Sequence, residues 1–154
     1  MQAAILTSPN TLRAREAGMR EIVDTVPLNL RTINTGIVAR QDWAREHEDQ
    51  VLSFLRAYME ASKIAKTDPE ATRALITKYT GLQDPALLEE SYQNSAAGWA
   101  IYPLIRDADV QNVIDLSATP EVKARKPSDY YDNSYLQKLE SFARSLDPQS
   151  AAAR

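Results

Sequence analysis

Between Gln41 and Thr67, apolar or small side chains recur in steps of three and four. Val51, Phe54, Leu55, Tyr58, Ser62 and Ala65 form one stripe, Leu52 and Met59 widen it, and Glu60, Lys63 and Lys66 lie opposite. Successive side chains in a strand alternate between two faces, so this period suits only a helix with one side against another surface. Asp42 is placed to cap that helix, which is expected to end near Thr67. So long an amphipathic element requires a partner surface, and the rest of the chain must supply it or recruit it.

Further helices follow at regular punctuation. Asp68–Pro69 opens "EATRALITKY", which stops before Gly81, and Asp84–Pro85 opens "ALLEESYQNSA". A side-chain acceptor followed by proline suits a helix start, because the first-turn amides need acceptors and proline lacks the amide. The two Asp–Pro starts share no further pattern, so they do not make a repeat. "GWAIYPLIRDAD" reads as an aromatic-rich connector, after which Asp107 or Asp109 starts a short helix carrying Val110, Val113 and Ile114. "SATPEVKARKPSDYYD" is the least regular stretch and is expected to wrap the surface. A last helix from about Asn133 carries Tyr135, Leu139, Phe142 and Leu146, and "DPQSAAAR" is expected to fray.

The front of the chain has a different character. "AAILT" at 3–7 reads as a short, fully buried strand. Ser8 and Pro9 then serve as N-cap and first residue of a helix over "NTLRAREA", ended by Gly18. "MREIVDT" reads as a second strand, and the strand–helix–strand spacing favours parallel pairing. "LNLRTINTGIVAR" is β-rich enough for a longer strand, with Gly36 at a bend or close approach. The fold class expected is therefore α/β and helix-rich: an N-terminal βαβ unit, one long strand and four or five helices behind.

Composition narrows the functional classes. The 154 residues carry a net charge of −3, with both signs interspersed, whereas a nucleic-acid or membrane-surface binder needs a concentrated basic footprint. No apolar run approaches the roughly 20 residues that span a bilayer, and no signal-peptide pattern is expected at the front. With no cysteine, disulfides, thiolate catalysis and Cys-type zinc sites are excluded.

The residues that carry chemistry are sparse. His47 is the lone histidine, and Val51 stands where a zinc protease would place a second one. No serine sits in a nucleophile-elbow context, and the four glycines form no phosphate-binding loop. Most of the carboxylate pairs Glu46/Glu48, Glu89/Glu90, Asp107/Asp109 and Asp129/Asp132 fall in first helical turns or polar loops, where they complement helix dipoles. "KARK" at 123–126 reads as a solvated loop. Two places remain. Thr7, Ser8, Pro9 and Asn10 gather hydroxyl and amide groups between a strand end and a helix start, where ligands bind in open α/β sheets, though simple N-capping explains the same residues. Trp99 and Tyr102 either line a cleft or anchor a core. No catalytic residue, metal or cofactor is expected.

The order of these parts resembles a known family. "AAILTSPNTLRAREAGMREIVDT", followed by "LRTINTGIVARQDWAREHEDQVLSFLRAYMEASKIAKTDPEATRALI" and later "SDYYDNSYLQKLESF", is similar to the C-terminal half of periplasmic solute-binding proteins. The subgroup serves ABC importers for nitrate, sulfonates, taurine and related solutes. The likeness runs from Ala3 to about Leu146, although Gln2 stands where the family has an acidic residue before its Ala pair.

That resemblance implies a partial two-lobed periplasmic-binding-protein fold. Residues 1–27 would be a remnant of the second lobe, 28–40 a crossing strand, 41–146 the helical part of the first lobe, and 147–154 a frayed tail. It implies a non-catalytic solute-binding role, with solute held at Thr7, Ser8, Asn10, Asn34 and Thr35, partnered by an ABC permease and ATPase, in the periplasm. Whole proteins of that kind are about twice as long, so the chain is expected to be one half. Uncovered Leu, Ile, Phe and Tyr side chains would cost roughly 1.5–3 kcal/mol each, against a total stability of about 5–15 kcal/mol. A homodimer, a strand-exchanged assembly or the missing N-terminal half is therefore the expected partner. The alternative reading is a helical, self-associating interaction domain with no small-molecule ligand. An enzyme is a third.

Overall fold

The structure is a computed structural model that describes residues 3–7, 10–24, 33 and 35–147. Among these residues the helices are α1 (Asn10–Glu16), α2 (Gln41–Glu46), α3 (Glu48–Thr67), α4 (Pro69–Thr80), α5 (Pro85–Gly98), α6 (Asp107–Leu116), α7 (Pro120–Lys123), α8 (Ser134–Gln137) and α9 (Glu140–Leu146), with a 3₁₀ turn at Pro127–Asp129. The chain divides into two units, one drawing on residues 1–24 and 60–100, the other on 25–59 and 101–154.

The α/β expectation is overturned. None of the described residues forms a strand, so the structure contains neither the βαβ unit nor, over 33 and 35–40, the crossing strand. Segment 3–7, expected to be buried, is exposed throughout, with Ile5 98% exposed. Ile22 and Val23 are likewise exposed in the segment expected as a second strand, as are Ile37 and Val38 in the third. The physical reason is that a strand exists only by pairing. Its amides and carbonyls need a neighbouring backbone, and no described segment supplies one. Thr25 and residues 28–32 and 34 of the expected strands lie outside the described residues.

The helices stand close to where their punctuation places them. In the first unit, α4 begins behind Asp68, whose carboxylate accepts the Ala71 amide at 3.0 Å, and α5 behind Asp84, which accepts from Ala86 and Leu87 at 2.9 Å. Gly81 ends α4 in the left-handed conformation, φ +71°, and its amide donates to the Thr77 carbonyl. Gly18 has φ +80° just after α1, as expected for a helix stop. α4 packs on α5, with Leu82, Leu87 and Tyr92 buried. Thr72, only 4% exposed, donates to the Asp68 carbonyl at 2.8 Å, which accounts for a hydroxyl in an apolar place.

The second unit holds the main core. Leu55, Met59, Tyr102, Leu136, Leu139 and Ala143 are buried together, with Val51, Leu52, Leu104, Tyr135, Phe142 and Leu146 partly buried against them. The stripe predicted on the long helix is present but rotated. Its centre runs through Leu55, Met59 and Ser62, while Phe54 is exposed. The helix is also broken in two, because His47 takes φ −126°, ψ 43° between α2 and α3. Asp42 does not cap it in the expected way: its carboxylate accepts the adjacent Trp43 amide at 2.8 Å and pairs with Arg40, the residue that stands at the N-cap.

The expected last helix is likewise two, α8 and α9, hinged at Leu139, the better buried of the junction residues at 2% exposure. α6 buries Val110 and Ile114 but leaves Val113 exposed. The irregular stretch after α6 folds into α7 and the 3₁₀ turn, both of which pack on α6. Asn133 pins the chain across this region, bonding the Ile105 amide at 3.1 Å and its carbonyl at 2.8 Å.

Candidate functional site

Those residues singled out for ligand binding that the structure describes, Thr7, Asn10 and Thr35, are all exposed. Thr7 is exposed; its carbonyl accepts the Asn10 amide at 2.9 Å, a turn that starts α1. Asn10 is exposed as well, and Ser8 lies outside the described residues. One turn on, Thr11 donates to Glu90 at 2.7 Å and Arg15 reaches the same carboxylate at 3.3 Å. These bonds tie α1 to α5 and engage the Glu90 carboxylate within the chain. Thr35 is exposed in a segment without secondary structure, and Asn34 lies outside the described residues.

The aromatic connector resolves toward the core-anchor reading at one of its two residues. Tyr102 is 9% exposed, and its hydroxyl donates to the Leu136 carbonyl at 3.1 Å. A buried phenol satisfied in this way anchors packing. Trp99 is half-buried at the end of α5.

A depression of about 380 Å³, missed in the sequence reading, is lined by Val38, Ala39, Arg40, Trp43 and Glu46. Arg40, Trp43 and Glu46 are spaced by three, which brings them to one side of α2 and was visible in the sequence. The Trp43 ring stacks on His47 with centroids 4.9 Å apart and planes 11° from parallel, and His47 Nδ1 lies 3.0 Å from the Trp43 carbonyl oxygen, which accepts its proton. Arg40 and Asp42 pair in full solvent, and the hydrogen bond from Arg40 holds the Asp42 carboxyl below its ordinary value while raising the arginine. The walls are open: Val38 is 93% exposed and Trp43 40%. A site this wet does not desolvate a solute, so its polar groups compete with water for every contact.

No cluster of three or more metal-ligating side chains occurs among the described residues. Of the paired carboxylates, Asp129 and Asp132 accept amides near helix starts and Asp109 pairs with Arg106, whereas Glu89 and Glu90 join helices. Asp109 binds Arg106 at 2.8 Å, Asp129 accepts the Lys126 amide at 3.1 Å, and Asp132 accepts the Ser134 amide at 2.8 Å at the start of α8. The Ser134 hydroxyl and then its amide hold the Asp132 carboxyl below 3.8. Tyr131 donates to Asp107 at 2.8 Å, and that hydrogen bond, followed by burial, raises the phenol above its usual range. Glu89 binds Arg73 at 2.9 Å and accepts from Gln93 at 2.7 Å.

Comparisons with known proteins add no relative: no protein-family model, no curated protein and no solved structure matches the chain. No helix among the described residues is long and apolar enough to cross a membrane.

Proposed function

We propose that the chain serves as a non-catalytic solute-binding component of an ABC importer for small anionic or organosulfur and nitrogen solutes, such as nitrate, sulfonate or taurine. A separate permease and ATPase carry out transport, and the component works in the periplasm. The observation that carries this reading is the order and spacing of "AAILTSPNTLRAREAGMREIVDT", "LRTINTGIVARQDWAREHEDQVLSFLRAYMEA" and "SDYYDNSYLQKLESF" along one chain. The solute would meet hydroxyl and amide groups at Thr7 and Asn10, both exposed, with Ser8 as a further contact.

Calorimetric titration of the full chain with nitrate, taurine and an alkyl sulfonate tests the proposal. Saturable heat at one site per chain, lost in Thr7→Ala/Asn10→Ala, supports it. Absence of heat with all three overturns binding by this chain on its own.

A second reading, a self-associating interaction domain, is favoured by a specific observation. Large apolar side chains stand exposed on helices in both units, among them Phe54, Ile64, Leu75, Tyr79 and Leu116. Light scattering across a concentration series separates the two: mass that rises with concentration, without solute heat, belongs to the second reading.

A further inference from the structure

Helix α1 depends on a side chain from elsewhere in its unit. It has seven residues, none of them buried, and so short a helix does not hold its shape in water without support. The apolar residues beside it supply little: Ile5 and Leu6 ahead of it are 98% and 41% exposed, and Met19 after it 65%. The support comes from Glu90 of α5. Thr11 donates to Glu90 Oε1 at 2.7 Å, and Arg15, one turn on, donates to the same oxygen at 3.3 Å. The Glu90 side chain is only 17% exposed, so water competes poorly for these charge-assisted bonds. Among the described residues, no other side-chain hydrogen bond or ion pair joins α1 to another helix.

We propose that Glu90 is a positioning residue for the Thr7–Asn10 turn: through Thr11 and Arg15 it holds α1 on α5, and with α1 the groups offered to the solute. The proposal rests on the solute-binding reading and adds to it a residue that the solute does not touch. Thr11 follows Asn10 directly, and the Asn10 amide donates to the Thr7 carbonyl, so the turn and the clasped residue move together. When the clasp opens, α1 samples undocked states, and solute affinity falls with the fraction of chains still docked. The sign of the effect separates positioning from charge. A carboxylate beside the turn repels an anion, so on charge alone removing Glu90 tightens the binding of nitrate or a sulfonate. Positioning demands the reverse. Thr11→Val, which removes the hydroxyl and alters no charge, must then weaken binding as well.

Two measurements on the full chain test this. One is calorimetric titration with nitrate, taurine and an alkyl sulfonate. The other is hydrogen–deuterium exchange of the α1 amides and of Ala17, which donates to the Arg13 carbonyl at 3.0 Å. Glu90→Ala and Thr11→Val are each expected to weaken solute binding about tenfold or more. Both should speed exchange in α1 while leaving exchange in α4 and the midpoint of thermal unfolding unchanged. Glu90→Gln keeps an acceptor oxygen for Thr11 and is expected to recover part of both effects. A merely structural role would instead lower the melting midpoint and speed exchange in α4 and α5 together. Binding that tightens in Glu90→Ala, or that is unchanged in Thr11→Val, overturns the positioning role. Exchange in α1 that is already as fast as in an unfolded peptide, or that Glu90→Ala does not change, overturns the clasp itself. A wild type without solute heat overturns the solute-binding reading and the positioning role with it, whereas slow α1 exchange lost in Glu90→Ala still supports the clasp.

Discussion

Two stretches of the second unit, similar in apolar content, end in opposite environments. Along α3, Leu55 and Met59 are buried against Tyr102, Leu136, Leu139 and Ala143, with Met59 and Ala143 fully covered. Along 35–39, Ile37 and Val38 stand in water. The difference is in how each satisfies its backbone. A helix closes its own amides within four residues and then needs only a greasy surface, which α8 and α9 provide. A β-prone segment needs a second backbone before its side chains have a face to present. The contrast shows which half of this chain is complete as it stands.

The contrast is most directly broken at the core. Leu139→Ala is expected to cost about 2–5 kcal/mol in urea denaturation, because a fully packed side chain is removed. Val38→Ala in the monomer should stay within about 0.5 kcal/mol, as for other exposed positions. Equal effects at the two sites would mean that 35–39 is covered in the folded monomer after all.

The helix starts come next. Asp84→Ala removes an acceptor for two first-turn amides and should cost about 1 kcal/mol, and Asp68→Ala a similar amount; Asp84→Asn should recover most of it. At the other end of α4, Gly81→Ala is expected to lose about 1 kcal/mol from the left-handed φ alone, because nothing lies within 4 Å of an added Cβ.

A smaller effect depends on pH. The folded Asp132 carboxyl lies below its ordinary value of 3.8, so its contribution is present above that value and fades as pH falls through the lower folded one. Asp132→Asn should therefore reduce stability at pH 7 and flatten the acid limb below pH 3.8, which thermal melts at several pH values would show. Smallest of all is the pair of Lys138 with Glu48 at 2.7 Å, both about half exposed. Glu48→Gln should change stability by about 0–1 kcal/mol, diminishing further in salt.

Much of the helical part was legible because its signals are local. Asp68–Pro69 and Asp84–Pro85 mark starts within a residue, Gly81 marks a stop, and the spacing of Leu139 and Phe142 marks an apolar side. The break at His47 was not legible, since Trp43, Ala44 and His47 fit a continuous helix as well as an interrupted one. Nor was the rotation of the α3 stripe, because Phe54 and Met59 are both apolar and only the shape of the opposing surface decides which is covered. The strands read at 3–7, 19–25 and 28–40 failed over their described residues, 3–7, 19–24, 33 and 35–40, for a different reason. Their composition is that of sheets, but a sheet is a relation between segments distant in sequence. Of the candidate site, the Thr7–Asn10 turn was legible as a helix start and forms one, through the Thr7 carbonyl and Asn10 amide. The depression beside Trp43 depends on the path of residues 38–40 ahead of α2, which no local pattern specifies.

The sequence by itself determined where α4 and α5 begin and where α4 ends, because capping, proline and a left-handed glycine act within one or two turns. Tertiary structure alone decided that Met59 and Leu139, not Phe54, form the centre of the core. It also left Ile5, Ile22 and Val38 in water, because burial and strand pairing require surfaces that a residue's neighbours in sequence do not supply.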